Sequence, residues 1–248
     1  MIILSILFFV TAIFYSSVGF GGGSTYLALL LIWDIPYLIF PVIALLCNII
    51  VVSGNSFNYI RAGNHNFKLL IPFLLGSIPF AFIGGTLVID KEIFETLLFF
   101  VLALAGFLLL FSSNSYKTKN TITKRLNLFI SVIIGSILGL VSGIIGIGGG
   151  IFLSPILFLL RADKPKHIIT SSSLFIFINS IFGVLGQLTK ENVLNEIIFY
   201  WPLFLVVLFG GLFGNYLNLK IFSSRVLALI TSLLVIFVAI RMGVKILI

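Results

Sequence analysis

The chain is predicted to be an all-α polytopic membrane protein of two inverted repeats, each a glycine-broken helix plus three transmembrane helices. Three observations predict this. Of 248 residues, 60% are hydrophobic and 9% charged, against roughly 25% charge in soluble domains. The apolar residues gather into blocks long enough to cross a bilayer. Two of those blocks carry the same glycine triplet.

That composition excludes a soluble enzyme, a nucleic-acid binder and a disordered chain, because so much apolar surface in water would aggregate. The net charge of +8 comes from 15 Lys and Arg against 7 Asp and Glu. It fits basic cytoplasmic loops, so no nucleic-acid partner is expected. Cys47 is the single cysteine and lies in an apolar stretch, which leaves no intramolecular disulfide. His65 and His167 stand beside loop charges without cysteine partners, so neither a metal site nor a cofactor is expected. No Lys or Arg precedes Arg61; residues 1–18 lack the basic start of a signal peptide and are expected to stay in the mature protein.

Hydropathic blocks run over residues 1–33, 37–60, 69–89, 93–111, 126–160, 168–188, 195–217 and 226–248. Blocks 1–33 and 126–160 are too long for one span, since 33 helical residues would reach about 50 Å. Glycine interrupts both: Gly19-Phe20-Gly21-Gly22-Gly23 in one, Gly146-Ile147-Gly148-Gly149-Gly150 in the other. Three adjacent glycines cost a helix about 1 kcal/mol each relative to alanine, so each helix should break there. The stretches that follow, Ser24 to Trp33 and Ile151 to Leu160, reach about 15 Å, half a membrane.

The breaks expose a duplication. Gly21, Gly22 and Gly23 match Gly148, Gly149 and Gly150 at an offset of 127; Asp34-Ile35-Pro36 matches Asp163-Lys164-Pro165 at 129, and Gly85 matches Gly214 at 129. Residues 1–112 thus form a first repeat, 113–125 a basic linker with Lys117, Lys119, Lys124 and Arg125, and 126–248 a second repeat. Such duplication is a sign of transporters.

Charge counting chooses the topology. If each broken block crosses once, the basic residues divide nine against six. If each enters, turns at the glycines and returns, Arg61, Lys68, the four linker charges, Arg161, Lys164, Lys166, Lys220 and Arg225 share one face. Only Lys91, Lys190, Arg241 and Lys245 then lie opposite, eleven against four. The second threading inverts the halves and puts both termini outside the cytoplasm. A re-entrant hairpin and a long-plus-short double crossing give the same parity, and the sequence leaves both open.

A break in mid-bilayer frees backbone N–H groups that lipid cannot satisfy. The half-helix after it starts with unpaired donors and about half a positive charge. Two such ends converging would hold a small anion without any Lys or Arg in the membrane. Gly21, Gly22, Gly23, Ser24, Gly148, Gly149 and Gly150 are therefore candidate binding residues. Gly135, Gly139 and Gly143, and likewise Gly210 and Gly214, are spaced four apart and read instead as close helix packing. No strand pattern precedes either glycine run, which disfavours a nucleotide loop.

Polar residues inside spans supply the second signal. Asn48, Ser53, Asn55 and Asn58 lie in the second block; Thr170, Ser171, Ser172, Ser173, Asn179 and Gln187 lie in its counterpart. Of these, Asn48, Asn55, Thr170, Ser171, Ser172 and Asn179 are assigned to the site as neutral hydrogen-bonding groups. All seven acids sit at span ends, so no carboxylate is poised as a membrane proton relay. The absence of paired acids, thiolates and imidazoles in the spans argues against an enzyme and against metal transport.

On the two glycine runs, on Ser154-Pro155 after the second and on Thr170-Ser171-Ser172 opening the sixth block, the chain resembles the TauE/SafE sulfite-exporter family over nearly its whole length. The resemblance implies a transporter in a bacterial inner membrane, with sulfite, sulfoacetate or a related organosulfonate as its anionic substrate and export as the direction. Ala28 stands where the second repeat has Pro155, so the half-helices need not be equivalent. The expected partners are the anion and the lipid bilayer, and a homo-oligomer is compatible. A non-transporting membrane scaffold or assembly factor, whose glycines serve packing only, is the alternative.

Overall fold

The computed structural model describes residues 1–112 except Val18 and Asp34, residues 126–217 except Asn192, and Ile236, Ile240 and Gly243. The basic linker and nearly all of the last predicted span lie outside them. The described residues fold into helices without strands: α1 Ile2–Ser16, α2 Gly23–Ile32, α3 Phe40–Arg61, α4 Phe67–Thr86, α5 Lys91–Ser112, α6 Leu128–Ile145, α7 Gly150–Leu159, α8 Pro165–Gln187, α9 Val193–Ile197 and α10 Trp201–Leu217. Five helical stretches are long and apolar enough to cross a membrane: α3 with its preceding turn, α4, α6, α8, and α9 with α10.

The sequence explains the ends. Asn66 caps α4 by accepting from the Leu69 N–H at 3.3 Å, and Asn127 caps α6 through the Phe129 N–H at 2.9 Å. Pro165 occupies the first turn of α8, where its missing N–H costs nothing. Both long blocks break at the glycines. Gly22 and Gly149 are the N-caps of α2 and α7, with φ of 87° and 75°, a left-handed conformation that a Cβ would strain.

The chain turns back at the first break. In a continuous helix Phe8 and Tyr26 would stand about 27 Å apart, yet their ring centroids are 4.8 Å apart. Tyr15 Oη and Thr25 Oγ1 also meet, at 2.7 Å. α1 climbs beside α3 until Ser16 stands level with Asn55, whose amide donates to the Ser16 carbonyl at 2.8 Å. The glycine run then drops the chain to the level of Asn48, where α2 begins its descent. The first leg is thus a helix of 15 residues and the return leg one of ten.

Helix directions follow from which residues meet. α1 runs parallel to α10, with Gly210 against Phe9 and Gly214 against Ile13. α4 runs parallel to α6, with Gly135, Gly139 and Gly143 against Phe73, Ser77 and Ala81. α3 and α8 are antiparallel: Leu45 packs on Gly183, and Ser56 Oγ meets Ser173 Oγ at 3.2 Å. α10 runs with α3, placing Gly211 on Val51 and Asn215 on Gly54. Exchanging the first helix set for the second maps α1 on α10 into α6 on α4. The Gly85–Gly214 match is one residue off. Gly214 meets Ile13, and it is Gly84 that meets Leu140, the residue 127 beyond Ile13.

At these contacts the backbones touch. A Cβ on Gly139 would lie 2.7 Å from Ser77 Cα, and one on Gly214 would lie 2.8 Å from Ile13 Cα, closer than packed carbons approach. Small residues let helices approach this far in lipid, where water supplies no hydrophobic drive. The burial pattern fits a bilayer. Asn48, Asn55, Asn179 and Gln187 are fully buried, while Phe57, Phe129 and Phe199 are 65–75% exposed.

Candidate functional site

The two glycine breaks meet at one place, between α3 and α8. A Cβ on Gly23 would come within 2.7 Å of both Asn48 Nδ2 and the Ile147 carbonyl of the other break. One on Gly148 would come within 2.7 Å of Asn48 Nδ2, 3.0 Å of Ile176 Cγ2 and 3.2 Å of Ser180 Oγ. Asn48 ties the breaks together by donating to the Ile147 carbonyl at 3.1 Å.

Each half-helix then presents unpaired donors. The first α2 N–H groups held by the protein belong to Thr25 and Tyr26, both bonded to the Gly22 carbonyl. In α7 they belong to Phe152 and Leu153, bonded to the Gly149 carbonyl. Among the described residues, the N–H groups of Gly21 to Ser24 and of Gly148 to Ile151 have no acceptor. The glycines carrying them are buried. Unpaired N–H groups at this depth are rare and costly. They make two adjacent donor clusters, each at the positive end of a helix dipole.

Helices α2, α3 and α8 also carry unsatisfied side-chain atoms. Asn48 Oδ1, Ser24 Oγ, Ser171 Oγ, Ser172 Oγ, Asn179 Oδ1 and Ser180 Oγ are buried without a hydrogen-bond partner. Gly150 abuts the Ser172 carbonyl and Ile176, and Gly21 abuts Asn48 and Ile176; a Cβ on Gly149 would lie 2.8 Å from the Phe175 ring. The structure thus gathers Asn48 and the two triplets into one centre, on the α8 face formed by Ser172, Ile176 and Ser180.

Three predicted residues have other work. Asn55 holds the end of α1 by donating to the Ser16 carbonyl. Its counterpart is Gln187, whose amide donates to the Gly143 carbonyl at 2.7 Å near the end of α6. Thr170 donates to the Lys166 carbonyl of its own helix at 2.9 Å, and the Asn179 amide donates to the Phe175 carbonyl at 2.9 Å, which leaves only Asn179 Oδ1 unbonded. Ser180 was not singled out from the sequence. Its four-residue spacing from Ile176 and eight from Ser172 was the available signal.

One carboxylate joins the halves away from the centre. Asp163 accepts from Asn66 Nδ2 at 2.6 Å, from the Lys164 N–H at 2.7 Å and from His167 Nδ1 at 3.1 Å. Burial alone would raise its carboxyl, but those hydrogen bonds and the His167 charge outweigh it and hold it below its usual value. At the end of α8, burial pushes Lys190 down to about 8, and its ammonium donates to Gln187 Oε1 at 2.8 Å.

Spanning helices around a pair of broken helices with buried, unpaired donors suit a membrane transporter. The chain belongs to the sulfite exporter TauE/SafE family, whose model matches residues 4–242. It is 25% identical to the "Probable membrane transporter protein y4hK" of Sinorhizobium fredii over 232 residues, 93% of each chain. It is 28% identical to the "Probable membrane transporter protein MJ0441" of Methanocaldococcus jannaschii over 232 residues, 88% of this chain and 85% of that one. No solved structure matches.

Proposed function

We propose that this chain exports a small sulfur-containing anion, sulfite, sulfoacetate or a related organosulfonate, across a bacterial inner membrane, and that it performs no chemistry on it. The observation that carries the reading is the pair of donor clusters, Gly21–Ser24 and Gly148–Ile151, buried and without protein acceptors. Oxyanion oxygens are the acceptors such clusters suit. Neutral donors hold the solute without the deep trap that a buried Lys or Arg would set.

Two repeats, residues 1–112 and 126–248 about a cytoplasmic linker at 113–125, stand inverted in the membrane, with both termini outside the cytoplasm. The antiparallel α3–α8 pair supports this, since the two are counterparts and equivalents in contact run opposite ways only about an axis across the helices. Reporter enzymes fused to each terminus test the orientation; a cytoplasmic signal from both refutes it.

Transport is tested in proteoliposomes loaded with sulfite or sulfoacetate. Efflux is expected, and Gly22→Leu and Gly149→Leu should reduce it severely. Absence of flux for every anion tried, from the folded protein, overturns the reading in favour of a scaffold.

A further inference from the structure

Asn48 lies against Gly21, Gly23 and Gly148, the position that Ile176 takes against Gly148, Gly150 and Gly21. The Ile147 carbonyl can only accept, so it fixes which end of the Asn48 amide faces it: Nδ2, at 3.1 Å. Oδ1 is left against Gly21 and Gly23, buried and without a hydrogen-bond partner. The Ser24, Ser172 and Ser180 hydroxyls are also unpartnered, but a hydroxyl can turn to donate or to accept. An amide oxygen only accepts.

The backbone around it has the opposite need. The N–H groups of Gly21 to Ser24 and of Gly148 to Ile151 are donors without acceptors. A fully ionised oxyanion would satisfy them, yet it offers only lone pairs to Oδ1. A metal cation would suit Oδ1 but would sit at the positive ends of two helix dipoles. An oxyanion that keeps one O–H suits both, and burying its single charge costs less than burying two. The breaks are close together, since a Cβ on Gly23 and one on Gly148 would each lie 2.7 Å from Asn48 Nδ2. The O–H and the charged oxygens therefore belong to one compact group.

We propose that the centre takes its oxyanion singly protonated, the charged oxygens accepting from the N–H groups of the breaks and the one O–H donating to Asn48 Oδ1. The proposal rests on the anion-transport reading above. The proton enters with the solute from water on one side and dissociates into water on the other, so no side chain exchanges it. All seven acids lie at span ends, which suits a solute that carries its own proton.

Titratable groups of the protein must be separated from that of the solute. Tyr15 and Tyr26 lie against Gly22, Tyr59 lies against Gly19, and Cys47 precedes Asn48. Arg61 ends α3, Lys166 and His167 stand in the first turn of α8, and α6 and α7 carry no such group. A change in any of these would act on every bound anion. Methanesulfonate, singly charged and without a proton, is therefore the control.

The test measures binding of sulfite and of methanesulfonate to detergent-purified protein by calorimetry across the second ionisation of sulfite. On its acid side hydrogen sulfite should bind about tenfold tighter than methanesulfonate, the factor that one hydrogen bond of ordinary strength supplies. Above that ionisation the affinity for sulfite should fall about tenfold per pH unit, as the protonated fraction does, while that for methanesulfonate stays level. Asn48→Ala should bring the acid-side ratio near one. If that variant does not fold, the pH profile of the unaltered protein decides. Methanesulfonate binding as tightly as hydrogen sulfite overturns the proposal. So does a sulfite affinity that holds or rises above the ionisation, a parallel fall for methanesulfonate, or a folded Asn48→Ala with an unchanged ratio. Those results leave anion transport standing. Failure of the folded protein to bind either anion removes the transport reading and this inference together.

Discussion

Replacing Asn48 with alanine separates a structural role from a binding role within one side chain. Asn48 is fully buried, and its amide holds the Ile147 carbonyl at 3.1 Å across the two breaks. Removing the amide leaves that carbonyl unpaired at a depth without solvent, which costs about 1–3 kcal/mol. At about 2–4 °C per kcal/mol for a chain of this size, melting in detergent should fall by about 2–12 °C. Asn48 Oδ1 has no partner within the protein, so the residue also stands ready to orient a solute and the water it carries. Loss of one such hydrogen bond, worth about 1.4 kcal/mol, raises KM roughly tenfold. Efflux from proteoliposomes measures KM, and a fluorescence melt measures stability. Lower stability with an unchanged KM would make Asn48 a strut between the breaks and nothing more. An unaltered melt and unaltered efflux together would refute the placement of the two breaks against Asn48.

Other expectations follow from single contacts. Gly22→Ala and Gly149→Ala force a Cβ into left-handed backbone, costing about 1–2 kcal/mol, and should lower the melting temperature by several degrees. Gly211→Ala, whose Cβ meets nothing nearer than 3.6 Å, should leave it unchanged. Lys190 binds its proton less tightly in the folded state, with a value of about 8, than in the unfolded chain. Stability should therefore rise as pH climbs from about 8 toward the ordinary lysine range, and Lys190→Met should flatten that rise in melts across the interval. Asp163 is held below its usual value, so its contribution is present at neutral pH and lost as pH falls through the folded value. Asp163→Asn should lower stability at neutral pH and reduce the acid-side loss in the same melts.

Glycine runs and block lengths made the breaks legible, because three adjacent glycines cannot be paid for by side-chain packing in a helix. Their convergence was legible too, through the repeated triplet. The equivalence of Asn48 and Ile176 was not. Pairing the two blocks by polar content sets Asn48 beside Asn179, whereas the shared glycine neighbours pair it with an isoleucine. Polarity had diverged where backbone geometry had not. Asn55 and Gln187 show the same limit: each reaches a carbonyl near the end of a broken helix, from positions one helical turn out of register, and the longer side chain makes up the distance. Ser180 escaped because its spacing from Ser172 marks a shared helix face only once the face turned to the glycine breaks is known.

The glycine seats of α1 on α10 and of α6 on α4 clasp each half to the other by its leading helix. Neither half can swing away as a unit without unseating backbone from backbone along whole helices. Any rearrangement that admits a solute must leave both clasps shut and slide the antiparallel pair, with its two stub helices, between them. A gene cut between the halves should yield fragments that need each other to become stable.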